Sequence, residues 1–392
     1  MTAPVPRSRV AIVGGSIAGC AAAIALHRAG CEVTIYERSH HDLRDRGYGI
    51  GIPLPPRERL VAAGYLDPDT PALTCDERLW LVQGGSDFGR VAWRQPFPTT
   101  LNNWGVLWRA LRAHVPDRSF RDATTVTELR PGHAGVEVVT AGGTDRFDVV
   151  VGADGYRSMT RKLVDATVRP RYAGYSLWRG NYPEGRLPTP VPPELERNAM
   201  TVCFPHGHAV FYLIPDFDGG RRMNWAVYLA IPGARRFRDP TSVPPGSVGT
   251  ELLAHLDRVL RYFPDYWAEV VRASEPAEMS LQPVYDATPG SYVTDRLLLI
   301  GDAAALARPH TGSGATKAFQ DALTLERLSV AHDSWDQVLA GYDGERRPEG
   351  EALVELGRRL GDAQVRHTPR WQTMSAADFV AIASGHVHPY DT

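Results

Sequence analysis

A short apolar run, Arg9-Val10-Ala11-Ile12-Val13, leads straight into Gly14-Gly15-Ser16-Ile17-Ala18-Gly19, and this junction constrains the fold more than any other part of the chain. Ile17 to Arg28 follows a small-residue helical pattern ended by Gly30, and Cys31 to Tyr36 reads as a second strand. Strand, glycine turn, helix and strand within about thirty residues form a βαβ unit, whose parallel strands need helices on the faces of their sheet. Gly14 permits the tight turn, and Gly19 lets helix and strand approach closely. The helix start, at Ser16, Ile17 and Ala18, offers unpaired amides and a positive dipole end to an anion. Glu37 stands at the end of the second strand, 23 residues after Gly14, where a carboxylate can accept hydrogen bonds from a ribose. Ser16 replaces the second glycine of the dinucleotide pattern, a small enough change to keep the close approach. A turn that binds nothing would need the same glycines; Glu37 is what favours a bound dinucleotide.

Two further junctions repeat the theme. Phe147 to Val151 leads into Gly152-Ala153-Asp154-Gly155-Tyr156-Arg157-Ser158, with Arg161 three residues on. Leu297 to Ile300 leads into Gly301-Asp302-Ala303-Ala304, then Arg308-Pro309-His310-Thr311-Gly312-Ser313-Gly314-Ala315, where a helix to Val330 begins. Taken singly, Gly and Asp are ordinary at strand ends because chains turn there. Between them, from about Tyr172 to Tyr285, the chain is rich in Trp, Tyr and Phe and broken by prolines. Strand-like runs lie at Val210 to Ile214 and Trp225 to Ile231, with a helical patch from Thr250 to Val271. The expected class is α/β. A discontinuous, doubly wound Rossmann-like domain (1–75, 99–170 and 286–365) carries an inserted α+β substrate domain on an antiparallel sheet (171–285, with strands from 76–98), and 366–392 is a C-terminal tail.

Composition narrows the partners. Hydrophobic residues at 43% and charged residues at 22% exclude a disordered chain, and 392 residues suffice for two or three domains. Lys+Arg 43 against Asp+Glu 45 leaves a net charge of −2, so the basic footprint of a nucleic-acid binder is missing. No run approaches the roughly eighteen apolar residues of a membrane helix. The N-terminus enters the first strand directly, so neither a signal peptide nor membrane association is expected. Cys20, Cys31, Cys75 and Cys203 show no C-x-x-C spacing. Neither a metal site nor a disulfide framework follows, and a reducing, cytoplasmic setting is expected.

In order and spacing, the three motifs resemble the single-component FAD-dependent aromatic hydroxylases, the para-hydroxybenzoate and salicylate hydroxylase group, over roughly residues 8–360. Gly-Gly-Ser-Ile-Ala-Gly with Arg-Pro-His-Thr-Gly-Ser-Gly is most similar to the 2,6-dihydroxypyridine hydroxylase branch. Ala305 stands where a common variant of the family has a histidine. The resemblance implies non-covalent FAD, NADH or NADPH as co-substrate, and O2. A flavin C4a-hydroperoxide would deliver oxygen to an aromatic or heteroaromatic small molecule, with the enzyme a monomer or homodimer. By position, it implies that Gly14, Ser16, Ile17 and Ala18 hold the pyrophosphate and that Glu37, with Arg38, holds the adenosine ribose. Arg109 would reach the ribityl and phosphate region, and Val126 would complete the cofactor set. Asp154-Gly155 would sit where FAD and the nicotinamide donor pass. Asp302 would bind a ribityl hydroxyl, and Pro309 would lie near the reactive edge of the flavin. Independently of the resemblance, Gly312-Ser313-Gly314-Ala315 opens a helix whose amides can stabilise negative charge on a reduced flavin.

His310 is either a base or hydrogen-bond partner near the substrate, or a packed turn residue. Arg179 and Arg308 are candidates for an acidic substrate, with structural ion pairing as the alternative. Among the aromatic residues of the inserted domain, His206, Tyr212, Trp225 and Tyr228 are the candidates to wall a cavity for a planar ring. Gly47-Tyr48-Gly49-Ile50-Gly51-Ile52 reads either as a loop that lets flavin or substrate move, or as a plain turn. Other flavin oxygenations, such as epoxidation or Baeyer–Villiger insertion, would share every cofactor motif, as would a non-catalytic FAD-binding protein.

Overall fold

The computed structural model describes residues 5–40, 48–132, 135–231 and 243–383. In chain order the first elements are β1 (Arg9–Val13), α1 (Ile17–Arg28), β2 (Glu32–Tyr36), β3 (Gly49–Pro53), α2 (Leu54–Ala62), β4 (Leu73–Val82), β5 (Arg90–Asn103) and α3 (Trp104–Ala113). They are followed by β6 (Phe120–Arg121), β7 (Val126–Gly132), β8 (Gly135–Thr140), β9 (Gly143–Phe147), β10 (Val149–Gly152), α4 (Met159–Val164), β11 (Arg171–Pro183), β12 (Asn198–Phe204), β13 (Gly207–Pro215) and β14 (Arg221–Leu229). The last are α5 (Thr250–Leu260), α6 (Asp265–Arg272), β15 (Met279–Asp286), β16 (Leu297–Leu299), α7 (Gly314–Ala331), α8 (Trp335–Gly361) and α9 (Ala376–Ala383).

A parallel sheet of order β16-β10-β1-β2-β6 forms the first layer. Its central strands are unbroken apolar runs because both faces are covered, one by α1 and α7 and the other by the small sheet β7–β9 with α4. Ile17 through Leu26 of α1 are all buried between this sheet and α7, which only a helix of small residues permits. The three motifs sit at the carboxyl ends of β1, β10 and β16, which are neighbours in the sheet although far apart in the chain. β7, β8 and β9 make a small antiparallel sheet alongside.

The second layer is an eight-stranded sheet, β15-β11-β14-β13-β12-β4-β5-β3, antiparallel except for one parallel junction between β12 and β4. Register assigns its side chains to two faces. Trp178, Phe211, Trp225 and Val227 point outward into a core with Trp267 and Val270 of α6 and Leu256 and Leu260 of α5. The single helical patch expected from the sequence is thus two helices, interrupted at Pro264. Tyr175, Leu177 and Arg179 of β11, Asn224, Ala226 and Tyr228 of β14, and His208, Val210 and Tyr212 of β13 occupy the opposite, inward face. The glycine-rich stretch expected as a loop or turn is strand β3 from Gly49 onward, an edge strand paired with β5; Gly47 lies outside the described residues. No helix among the described residues is long and apolar enough to cross a membrane.

Candidate active site

The β1–α1 turn is as tight as its glycines imply. Gly14 has φ +103°, and a Cβ there would stand 2.4 Å from the Ala153 carbonyl oxygen. A Cβ on Gly19 would stand 1.9 Å from the Gly14 oxygen, so the helix could not close on the strand. Trp108 of α3, which the sequence motifs do not flag, donates its indole N–H to the Gly15 oxygen at 2.8 Å and pins the turn. Glu37 accepts from the Gly15 N–H at 2.8 Å and from the Ser39 N–H at 2.9 Å. Each carboxylate oxygen has further lone pairs, so a pair of ribose hydroxyls can still be accepted there. Ser16 caps α1 without a side-chain hydrogen bond, so its hydroxyl does not compete for the first amides of the helix.

The second and third motifs close on the first. A Cβ on Gly301 would come within 2.8 Å of the Ala18 Cβ, so the Gly301-Asp302 turn abuts the start of α1. Buried Arg161 donates to the Asp302 and Ala303 oxygens at 3.0 and 3.2 Å, tying the second junction to the third. Asp154 uses one oxygen to accept from the Met159 and Thr160 amides at 2.7 and 3.1 Å, which fastens α4. Its other oxygen is buried without a partner among the described residues. Beneath the third turn, buried Asp321 accepts from the Gly301 N–H at 2.9 Å, from Arg346 Nε at 2.8 Å and from the Lys317 ammonium. Asp302 itself is exposed. Even so, burial raises its carboxyl above the ordinary value, against the pull of Lys317, Arg161 and Arg179. The exposure is therefore to an internal void. The void continues over the start of α7: a Cβ on Gly312 would meet nothing within 4 Å, and one on Gly314 only Asp302 Oδ1 at 3.9 Å.

Pro309, His310 and Thr311 form a single helical turn ended by Gly312 in the left-handed region, and Ala315 follows in the first turn of α7. Ser313 donates its hydroxyl to the Thr311 oxygen at 2.9 Å, stiffening this approach. His310 is buried, and its Nε2 pairs with the Tyr175 hydroxyl at 2.7 Å. The Tyr228 ring lies 4.4 Å from the imidazole and stacks on His208 at 4.5 Å. Burial pushes the Tyr175 phenol up and holds the His208 imidazole down to about 3, helped there by the Arg78 charge. Both therefore stay uncharged near neutrality. Gly361 makes the cluster possible, because a Cβ there would stand 2.1 Å from the Tyr175 hydroxyl. On the same inward face Arg179 lies 5.0 Å over the Tyr48 ring, and Tyr212 packs where a Cβ on Gly49 would collide with it at 2.3 Å.

Several expectations need correction. His206 is exposed at the β12–β13 turn with φ +65° and donates its N–H to Thr368 Oγ1 at 3.0 Å; the inward imidazole is His208. Trp225 is fully buried on the outward face, bonding Ser274 Oγ at 2.8 Å, so it belongs to the α6 core. Arg308 is fully buried and paired with Asp286 at 2.8 Å and Asp362 at 3.2 Å, so its charge is neutralised within the protein. Arg109 is exposed on α3, over the Phe217 ring at 4.7 Å. Arg38 is exposed just beyond Glu37. Val126 is buried in the small-sheet core, next to a segment that the Thr124 N–H fastens to the Glu37 oxygen at 2.8 Å. Gly155, at φ +70°, has open space beside it.

These features fit a bound flavin dinucleotide: a glycine cradle at a helix start, an acceptor carboxylate at β2, an unpartnered Asp154 oxygen, and Asp302 facing a void over a second helix start. Asp302→Ala is expected to weaken FAD retention by about 1–3 kcal/mol, and Asp302→Asn by less, because the amide oxygen can still accept a hydroxyl. The raised carboxyl has a second consequence. A carboxyl raised in the folded state favours folding at pH below its ordinary value and loses that contribution as pH rises through the raised value. FAD-free Asp302→Asn is therefore expected to be more stable to urea than the FAD-free parent at neutral pH, the gap closing on acidification. A gap unchanged with pH would contradict this.

The comparisons agree with the geometry. Residues 12–42 match the NAD(P)-binding Rossmann-like domain family and residues 259–356 the FAD binding domain family. The chain is 28% identical over 372 residues to 2,6-dihydroxypyridine 3-monooxygenase of Paenarthrobacter nicotinovorans, covering 90% of each chain. It is 31% identical over 373 residues to a 3-amino-4-hydroxybenzoate 2-monooxygenase of Streptomyces platensis, covering 91% of this chain and 88% of the relative. The solved 2,6-dihydroxypyridine-3-hydroxylase from Arthrobacter nicotinovorans superposes with a TM-score of 0.81 at 24% identity, covering 92% of this chain and 94% of that one. With three glycine junctions gathered around one void and relatives that span nearly its whole length, the chain belongs to the single-component FAD-dependent aromatic monooxygenases.

Proposed function

We propose that this chain hydroxylates an aromatic or heteroaromatic ring that carries an ionisable hydroxyl, taking electrons from NADH or NADPH and oxygen from O2. The observation that carries this reading is the hydrogen-bonded pair of His310 Nε2 and Tyr175 Oη at 2.7 Å, beside Tyr228 and next to the glycine-lined void. Bound FAD supplies the activation of O2. Glu37, Asp154, Asp302 and the starts of α1 and α7 hold the cofactor, while the inward face of the large sheet and the Pro309–Thr311 turn close over the ring and keep water out. His310 accepts the proton of the ring hydroxyl, and its hydrogen bond with the Tyr175 hydroxyl fixes the orientation of the imidazole. A ring so deprotonated is more electron-rich and is attacked more readily by an electrophilic oxygen. The named relatives act on a dihydroxypyridine and an aminohydroxybenzoate, both hydroxylated rings, which supports the same class here. The four cysteines are free and buried, which suits a reducing, cytoplasmic setting.

The test is a screen of phenols, hydroxybenzoates and hydroxypyridines for ligand-stimulated NAD(P)H oxidation, with product mass read alongside. A true substrate is expected to speed flavin reduction and to yield a product 16 mass units heavier, one oxygen atom. Flavin-loaded protein that consumes NAD(P)H with no ligand in the screen, or forms only hydrogen peroxide with all of them, would count against the reading.

A further inference from the structure

We propose that Trp108 is a positioning residue for the ADP half of FAD, acting through the Gly15 carbonyl. The glycines of the β1–α1 turn permit its shape but do not settle which way its peptides face, because glycine turns freely. A trans peptide points its C=O and the following N–H in opposite directions. The Gly15 oxygen is held inward by two donors, the Trp108 indole N–H at 2.8 Å and the Cys20 thiol at 3.4 Å. The Ser16 N–H of the same peptide is thereby turned outward, beside the first amides of α1, and it has no acceptor among the described residues. The Gly15 N–H cannot take its place, since it is given to Glu37 Oε2 at 2.8 Å. The orientation of this one peptide therefore decides what the cradle shows a pyrophosphate. Held as it is, the peptide offers a donor; reversed, it would offer a carbonyl oxygen that repels the anion.

Of the two donors, the indole is the one that can fix the peptide. Burial pushes the Cys20 thiol up to about 12, so it stays protonated, and a thiol donates weakly. Cys20 also belongs to α1 and moves with the turn, whereas Trp108 is presented by a separate element. That element is anchored on its own account. Asn103 caps α3 by accepting the Gly105 N–H at 3.0 Å, and its side-chain amide donates to the Pro215 oxygen at the end of β13 at 3.1 Å. The Trp104 N–H donates to the Tyr48 oxygen at 2.9 Å. The indole thus reaches the cofactor turn from a frame that includes the large sheet. Trp108 is buried, so water does not compete for its N–H, and without it the Gly15 oxygen would keep only the thiol.

The experiment sets the donor against the bulk of the side chain. Trp108→Phe keeps most of the ring and loses the N–H; Trp108→His keeps an N–H, because its Nε2 superposes on the indole Nε1, and loses the larger ring. FAD is removed from each full-length protein, and the binding of FAD, ADP and riboflavin is measured by calorimetry, with urea unfolding of the FAD-free proteins alongside. Trp108→Phe is expected to bind FAD and ADP about 3- to 10-fold more weakly than the parent, the worth of about one hydrogen bond, with riboflavin affinity unchanged. Trp108→His should lose less affinity for FAD and ADP than Trp108→Phe while losing more stability to urea, since it retains the donor and opens a cavity. Affinity losses ranked by lost bulk, with Trp108→His binding ADP more weakly than Trp108→Phe, would overturn the assignment and leave Trp108 as packing. So would parent-like ADP binding by Trp108→Phe, or a loss of riboflavin as large as the loss of ADP. Should Trp108→Phe fail to fold, Trp108→His decides alone: ADP affinity within about threefold of the parent supports the role, and a larger loss overturns it.

Discussion

His310→Ala is expected to keep its FAD and still lose product formation by about 10²- to 10⁴-fold, the range that a positioned acid–base group contributes, with NAD(P)H oxidation diverted to hydrogen peroxide. The imidazole is buried and held by the Tyr175 hydroxyl at 2.7 Å, within a cluster that also contains His208 and Tyr228. His208 does not substitute for it. Burial and the Arg78 charge hold its imidazole down to about 3, so it remains a weak base at working pH. Tyr175→Phe separates positioning from packing, because the ring contacts with His310 survive while the hydrogen bond to Nε2 is lost. That variant should lose roughly tenfold, the worth of about one hydrogen bond, and should alter the pH dependence of coupling through the freed imidazole. The measurements are product formed per NAD(P)H oxidised and flavin content across a pH series. Full coupling in His310→Ala refutes the acid–base role; full coupling with flavin loss means the residue only packs the turn.

What the sequence makes legible is what short-range chemistry demands. The turns at Gly14, Gly155 and Gly312 need a left-handed or crowded backbone, and only glycine supplies it cheaply, so the three cofactor junctions can be read from residue type and order. His310 is legible for a related reason, since it lies within the third junction. The substrate face is not. Alternation along β13 and β14 sorts His208, Tyr212 and Tyr228 from Phe211, Trp225 and Val227, but which set faces the nucleotide domain depends on where α5 and α6 pack. The choice of His206 over His208 fails at that step, because the Pro205-His206 turn puts the first imidazole outside and the strand brings the second one in. β3 is hidden for the same reason: its partner β5 lies some fifty residues downstream, and glycine runs carry no strand signal of their own. Arg308 could not be assigned from its neighbours either, since its carboxylates come from β15 and from the residue that ends α8.

The cofactor turn depends on a buried charge cluster, and Asp321→Ala is expected to cost about 3–5 kcal/mol of stability, the loss typical of removing one partner from a buried ion pair. Asp321 has no exposure, and its two oxygens serve the Lys317 ammonium, Arg346 Nε and the Gly301 N–H. Alanine would leave two interior cations facing each other and release the backbone that presents Asp302. Burial already holds the Lys317 ammonium below its ordinary value despite Asp321, so the variant should shed the Lys317 proton more readily still. A loss of that size is a large share of the roughly 5–15 kcal/mol that keeps a domain folded, so FAD should stabilise the variant less and leave it faster. Asp321→Asn keeps an acceptor for the Gly301 N–H and should fold where alanine does not, with an intermediate loss. Combining Asp321→Leu with Lys317→Met removes both members of one pair and should regain stability over Asp321→Ala, because replacing a buried pair by apolar side chains is far cheaper than breaking it. It should not regain FAD affinity, since the Gly301 amide then has no acceptor and the turn that presents Asp302 is left to the Arg161 contacts alone. Urea unfolding of the FAD-free proteins beside FAD dissociation rates of the loaded ones separates the two effects. Recovery of FAD affinity in the double variant would show that the cluster contributes stability alone and does not place the turn.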